Sequence, residues 1–180
     1  MIIRPATPAD ARDIAAVHVS SWQTTYPGLV PDDHLKKLTV ESRIPKWLET
    51  LEKPKRGTYD LVAVNELGQV VGFIDGGPER LGDPEYKSEL YAIYLLQSAQ
   101  RKGLGRRLTH ELTTRLLADG WSSLLVWVLE TNPSKQFYEY LGGKPVRRKM
   151  VKFSGVEIPE VAYGWIDLKV LHERSQVESH

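Results

Sequence analysis

A chain of 180 residues with 41% hydrophobic, 26% charged and 9% aromatic side chains has the size and make-up of one soluble globular domain. It has no cysteine, which excludes disulfides, thiolate metal clusters and a cysteine nucleophile. Twenty-four Lys and Arg against 23 Asp and Glu leave a formal net charge of +1, too balanced for nucleic acid or an anionic membrane as partner. No apolar run approaches the roughly 18 residues of a membrane span. Met1-Ile2-Ile3-Arg4-Pro5 lacks a signal-peptide core, so the expected compartment is the cytoplasm.

Ile2 to Ala6 reads as a first strand. Thr7-Pro8-Ala9-Asp10 then opens a helix, with Thr7 as N-cap, Pro8 in the first helical position and an acid two residues later. Ile14, Val17 and Trp22 fall near one face of that helix, and Pro27-Gly28 ends it. A short helical piece follows Pro31, and a further helix carries Ile44, Trp47, Leu48 and Leu51, with Pro45 in its first turn or at a kink. The period then changes. Tyr59 to Val64 and Gln69 to Asp75 are β-rich runs joined by Asn65-Glu66-Leu67-Gly68, a hairpin signature. A loop rich in Gly and Pro follows, then a third run from Glu89 to Leu96. Gly103 to Asp119 is the clearest helix, because Leu104, Leu108, Leu112 and Leu116 recur every four residues and Gly120 suits its C-terminal stop. Leu124 to Leu129 is a strand and Pro133 to Leu141 a short helix closed by Gly142-Gly143. Val146 to Phe153 and Glu157 to Leu168 form a last hairpin around Ser154-Gly155. The order predicts a mixed α/β (α+β) sheet with helices on its faces, one domain over residues 1–171 and a polar, frayed tail over 172–180.

The turn Gln100-Arg101-Lys102-Gly103-Leu104-Gly105 stands where the long helix begins. Free amides and the positive end of the helix dipole attract phosphate there, and two glycines let the backbone approach a bulky anion. Arg101, Lys102, Arg106 and Arg107 add positive charge, although basic residues and glycines before a helix are also ordinary loop chemistry. A Walker loop is excluded because no Ser or Thr follows Gly-Lys, and the third glycine of a Rossmann fingerprint is missing.

Glu89-Leu-Tyr-Ala-Ile-Tyr-Leu95 followed by Q-R-K-G-L-G resembles the acetyl-CoA motif of the GNAT superfamily of N-acetyltransferases, in which a strand, Q/R-x-x-G-x-G/A and a helix succeed one another. Asn132-Pro-Ser-Lys-Gln-Phe-Tyr-Glu-Tyr-Leu-Gly-Gly143 is similar to the family's N…FYE-x-LG segment, with Gly143 in place of the usual Phe. The opening R-P-A-T-P-A-D-A and the later S-W-Q-T-T-Y-P-G-L-V-P-D are also similar to many bacterial members, so the resemblance runs in order along nearly the whole chain. It implies a mostly antiparallel, twisted sheet of about seven strands, splayed at the cofactor strand by a bulge near Ile93 and Tyr94. Acetyl-CoA is then the cosubstrate. Its pantetheine arm lies along Ile93, Tyr94 and Leu95, and its diphosphate on the turn Gln100, Arg101, Lys102, Gly103, Leu104, Gly105 and Arg106.

The implied reaction is attack of a primary amine of a small molecule, peptide or protein on the thioester in a direct ternary complex. An alkyl amine titrates near 10, so only about a thousandth is free base at neutral pH and a base is needed. Family position puts Glu89 in that role; otherwise it is an exposed strand-end carboxylate. Uninterrupted alternation sets Glu89, Tyr91, Ile93 and Leu95 on one side. Val126-Trp127-Val128 offers no acid and Glu130 is a weak substitute. Tyr138 matches the tyrosine that faces the departing sulfur, and it also suits a core position. Asn132 bonds pantetheine, caps its helix, or both. Trp22 and Tyr26 wall the acceptor cleft with Tyr91, Trp22 doubling as a core plug, while Trp47, Trp121, Trp127 and Trp165 read as packing residues. Glu79, Asp83 and Glu85 face a cationic substrate or merely solvate their loop. The five histidines show no metal-ligand spacing, so no metal is expected. The rival reading is a CoA-binding sensor with little turnover. A homodimer paired through Val161 to Leu168 is open, as is packing of that run within one chain.

Overall fold

The computed structural model describes residues 1–177. Its elements are β1 (Ile2–Pro5), α1 (Ala11–Thr25, entered through a 3₁₀ turn at Pro8–Asp10), α2 (Asp32–Lys37), α3 (Val40–Glu52), β2 (Tyr59–Val64), β3 (Val70–Pro78), β4 (Ser88–Leu95), α4 (Leu104–Ala118), β5 (Leu124–Leu129), α5 (Lys135–Tyr140), β6 (Lys144–Phe153), β7 (Val156–Trp165) and α6 (Leu168–Ser175). They build one seven-stranded sheet in the order β1-β2-β3-β4-β5-β7-β6. Every neighbouring pair is antiparallel except β4 and β5, which run parallel.

The two faces of the sheet are distinguished by strand alternation. Leu61, Ile74, Leu90, Val126 and Val128 point to one face and bury the leucine stripe Leu104, Leu108, Leu112 and Leu116 of α4, together with Leu141, Leu168 and Leu171. Val62, Val64, Phe73, Ala92 and Tyr94 point to the other face, under Ile14, Ala15 and Val17 of α1 and Trp47 of α3. Pro45 lies inside α3, in its second turn, and the helix runs through it. At the end of α4 the Trp121 amide donates to Leu116 O and the Gly120 amide to Leu117 O, with Gly120 left-handed at φ 88°. That is the stop expected from its sequence.

Two expectations are corrected. The bulge in β4 is not at Ile93 and Tyr94: Ala92 pairs with Asp75 and Leu90 with Gly76, so Tyr91 is the extra residue. It reverses the alternation, leaving Leu90, Ile93 and Leu95 on the α4 face while Glu89 and Tyr91 turn to the opposite one. The tail does not begin at residue 172, because α6 continues to Ser175. His172 stacks on His110 of α4 with centroids 4.1 Å apart, and Ser175 is fully buried; residues 178–180 lie outside the described residues. Of the two readings left open for Val161 to Leu168, packing within one chain accounts for Val161–Trp165, since β7 pairs with β5 on one side and β6 on the other.

The entry to α1 is set as the sequence predicts. The Thr7 amide donates to the Asp10 carboxylate at 2.8 Å, and Arg4 grips the same carboxylate with two bonds of 2.8 Å. The Arg4 guanidinium holds Asp10 below the usual carboxylate range. Since the folded-state value is the depressed one, the stability gained is present above the unfolded pKa of about 3.9 and is lost as pH falls through the folded value. In thermal melts, Asp10→Asn is expected to cost about 1 kcal/mol at pH 7, and the gap to wild type should close below about pH 4.

Candidate active site

Strands β4 and β5 pair only through Ser88–Leu90 and Leu124–Val126. Beyond Leu90 and Val126 no rung joins them, and a V opens between Tyr91–Leu95 and Trp127–Leu129. The chain leaving β4 at the open end turns into α4. Gly103 is its N-cap, left-handed at φ 75°, with no side-chain cap. The first intrahelical bond runs from the Arg107 amide to Gly103 O at 3.1 Å, so the amides of Leu104, Gly105 and Arg106 have no partner within the helix. Arg101 is left-handed as well, at φ 59°, and such alternation folds successive amides into an anion-binding hollow.

The side chains of that turn have separate tasks. Gln100 donates its amide to Leu95 O at 3.2 Å, and Ser21 of α1 donates its hydroxyl to the same carbonyl at 3.3 Å. Arg101 and Lys102 are exposed, whereas Leu104 is buried in the core and offers only its backbone. A Cβ on Gly105 would stand 3.4 Å from the Phe137 ring, so α5 lies in contact range of the first turn of α4. Arg106 departs from expectation: its guanidinium donates to the carbonyls of Arg174 and Gln176, which ties the turn to the end of α6 rather than leaving a cation for a phosphate.

Tyr138 of α5 lies at the same opening, 7% exposed. Burial pushes its phenol above the ordinary value, and its hydroxyl makes no hydrogen bond to another described residue. Its placement depends on the turn after α5. The Gly143 amide donates to Tyr138 O at 2.9 Å, and a Cβ on Gly143 would stand 2.6 Å from the Trp165 ring, so the phenylalanine of related sequences has no room here. Asn132 is 2% exposed and does two things: Oδ1 accepts the Ser134 amide at 2.9 Å, and Nδ2 donates to the Tyr26 hydroxyl at 3.2 Å. Trp22 stacks on Tyr26 at 4.0 Å and donates its indole N–H to the Tyr94 hydroxyl at 3.0 Å. The Tyr94 side chain therefore belongs to the face opposite α4, where it also stacks on His18 at 5.3 Å. Burial lowers His18 to about 4, so its ring is neutral at physiological pH. The tip of the β6–β7 hairpin closes this aromatic group, with Phe153 4.8 Å from His34 and 6.0 Å from Trp22.

Glu89 sits at the closed end of the V, away from Tyr138. It is not an exposed strand-end carboxylate: it is 1% exposed, and both oxygens accept from Arg80, at 2.8 and 3.0 Å. Tyr91 donates its hydroxyl to Pro78 O, and Arg80 lies 4.1 Å over its ring. Glu79, Asp83 and Glu85 hold the loop itself together, Glu79 and Asp83 capping backbone amides and Asp83 and Glu85 gripping Arg147. Glu130 pairs with Arg148 at 2.9 Å. Sequence reasoning missed Arg80 and the cross-strand acids Asp60 and Asp75. Burial raises both acids, and the Asp60 charge raises Asp75 further. The available signal was an acid inside the apolar run Val70-Val-Gly-Phe-Ile-Asp75. Among the described residues no three His, Asp or Glu side chains are grouped to hold a metal ion, and no helix is long and apolar enough to cross a membrane.

The sheet is open and mixed, parted between two parallel strands, with an uncapped helix N-terminus at the opening. Residues 70–151 match the FR47-like protein family. The chain is 41% identical over 169 residues to the uncharacterized N-acetyltransferase YuaI of Bacillus subtilis (strain 168), covering 94% of this chain and 95% of that protein. It is 30% identical over 172 residues to the probable N-acetyltransferase Rv2775 of Mycobacterium tuberculosis, covering 89% and 91%. The crystal structure of ribosomal-protein-alanine N-acetyltransferase from Brucella melitensis superposes with a TM-score of 0.70 at 26% identity, covering 92% of this chain and 99% of that one. The chain belongs to the GNAT superfamily of N-acetyltransferases, and it is an acyltransferase.

Removing Arg80 strands a buried carboxylate. Arg80→Met is expected to cost about 2–3 kcal/mol, and adding Glu89→Gln should recover most of it, because the penalty lies in the unpaired charge. Urea denaturation of the two single variants and the double variant measures the coupling.

Proposed function

We propose that the protein transfers an acetyl group from acetyl-CoA to a primary amine of a small molecule or peptide within one ternary complex. The observation that carries this is the V between β4 and β5 ending at the uncapped amides of α4. Relatives in fold support the cosubstrate: yncA, a putative acetyltransferase from Salmonella typhimurium solved with acetyl-CoA, has a TM-score of 0.68 at 23% identity. Acetyl-CoA supplies an activated acetyl thioester carried on a peptide-like arm and a diphosphate.

The amides of Gly103, Leu104, Gly105 and Arg106 bind the diphosphate, with Arg101 and Lys102 as the exposed cations of the turn. The edge of β4 around Ile93 and Tyr94 pairs with the arm by strand addition. Leu95 contributes less, since its carbonyl already accepts from Ser21 and Gln100. Asn132 keeps the α5 entry and Tyr26 in place, and Trp22 and Tyr26 wall the acceptor side. Tyr138 donates a hydrogen bond to the departing sulfur. Because burial raises its pKa, it stays protonated throughout the working range, and a thiolate that titrates near 8.5 is stabilised by the bond before any proton moves. No cysteine is available to carry the acetyl group, which favours direct transfer. Glu89 anchors Arg80 and Tyr91 and leaves the proton chemistry to other groups.

Acetyl-CoA at 100 times its Kd should raise the stability by about 2.7 kcal/mol, seen as a higher Tm; no shift would remove the assignment. Mass-spectrometric screening of primary amines should reveal products heavier by one acetyl group. Tyr138→Phe is expected to lower kcat about 100-fold with the KM for acetyl-CoA nearly unchanged, and wild-type rates should show no tyrosine titration below about pH 10.

A further inference from the structure

On the sheet face opposite α4, Trp127 is the first β5 residue beyond the last rung to β4, so it stands where the two strands begin to part. Its neighbour across the ladder is Ala162 of β7, a small, fully buried side chain. Lys149 of β6 reaches over the intervening strand β7 to the indole. Its ammonium lies 4.2 Å over the Trp127 ring centroid and 3.7 Å from Glu160 Oε2. Lys149 and Glu160 are register partners on adjacent strands, 36% and 17% exposed in their side chains, so the cluster opens to solvent on one side.

An aromatic face with a carboxylate beside it is the chemistry that recognises an ammonium group on an alkyl chain. A second observation concerns the indole itself. Its Nε1 is buried and has no acceptor among the described residues, so no internal hydrogen bond fixes the indole, and the ring face is what it offers a cation.

We propose that Trp127 and Glu160 form the subsite for the ammonium of an aliphatic amine, and that Lys149 occupies it as an internal plug which the ligand displaces. The proposal rests on the acetyltransferase reading for its biological sense and deepens it by naming the acceptor class, an unbranched alkylammonium. The site itself is tested without catalysis.

Hexyltrimethylammonium, which has no N–H and accepts no acetyl group, serves as the probe in isothermal titration calorimetry of the whole protein. Lys149→Met removes the plug's charge and keeps its stem, and should bind the probe about tenfold more tightly than wild type. Adding Glu160→Gln or Trp127→Leu to Lys149→Met should abolish that gain. If Trp127→Leu fails to fold, as circular dichroism shows, Glu160→Gln decides alone. Equal affinity in wild type, Lys149→Met and Lys149→Met/Glu160→Gln overturns the subsite. Probe binding with the expected order, but no stabilisation by acetyl-CoA, leaves the subsite standing and removes the acetyltransferase reading; the reverse removes the subsite only.

Discussion

Three rungs of parallel pairing between β4 and β5 hold the two halves of the sheet together, and everything functional follows from their stopping at Leu90 and Val126. A sheet seeks to satisfy every backbone donor and acceptor, so a ladder that ends in mid-strand leaves polar groups exposed unless a ligand pairs with them. The extra residue Tyr91 is the local cause. It bends β4 away from β5 and returns Ile93 and Leu95 to the α4 face, where they pack on the core. The gap is therefore built from the same residues that stabilise the fold.

The two faces of the gap are chemically different because different layers cover them. On the α4 side the surroundings are aliphatic and end in an uncapped helix N-terminus, with Tyr138 buried at the opening. On the other side the surroundings are aromatic and charged: Trp22, Tyr26 and Tyr94 at one end, the Arg80–Glu89 pair at the other, and Trp127, Glu160 and Lys149 between strands. A thioester carrier suits the first and an amine the second. The Gly103 turn is braced from the C-terminal helix, since Arg106 holds carbonyls around the end of α6 while His172 stacks on α4.

Much of this was legible beforehand because it depends on local rules. The Thr7–Asp10 capping box, the four-residue leucine period of α4, the Gly120 stop and the Asn65–Gly68 hairpin each rest on interactions a few residues apart, and each is found. The ordered motif segments carried the family. They also placed Tyr138 and the Gly103 turn at one opening, since both sit at the ends of elements flanking the same gap.

What local rules do not contain is which face a residue takes after an irregularity, or which distant partner it meets. The bulge position moved by two residues, and period-two alternation then sent Glu89 to a buried ion pair instead of the cofactor side. Arg80 lies in a loop nine residues before Glu89, and Lys149 reaches Trp127 across an intervening strand, pairings that no sequence spacing announces. The amino-acid sequence alone determined the elements, their order and the Gly103 turn at the start of α4, because those are set by neighbours along the chain. The tertiary structure alone decided the partners of each charge, because a carboxylate's chemistry is set by whatever folding places within bonding distance of it.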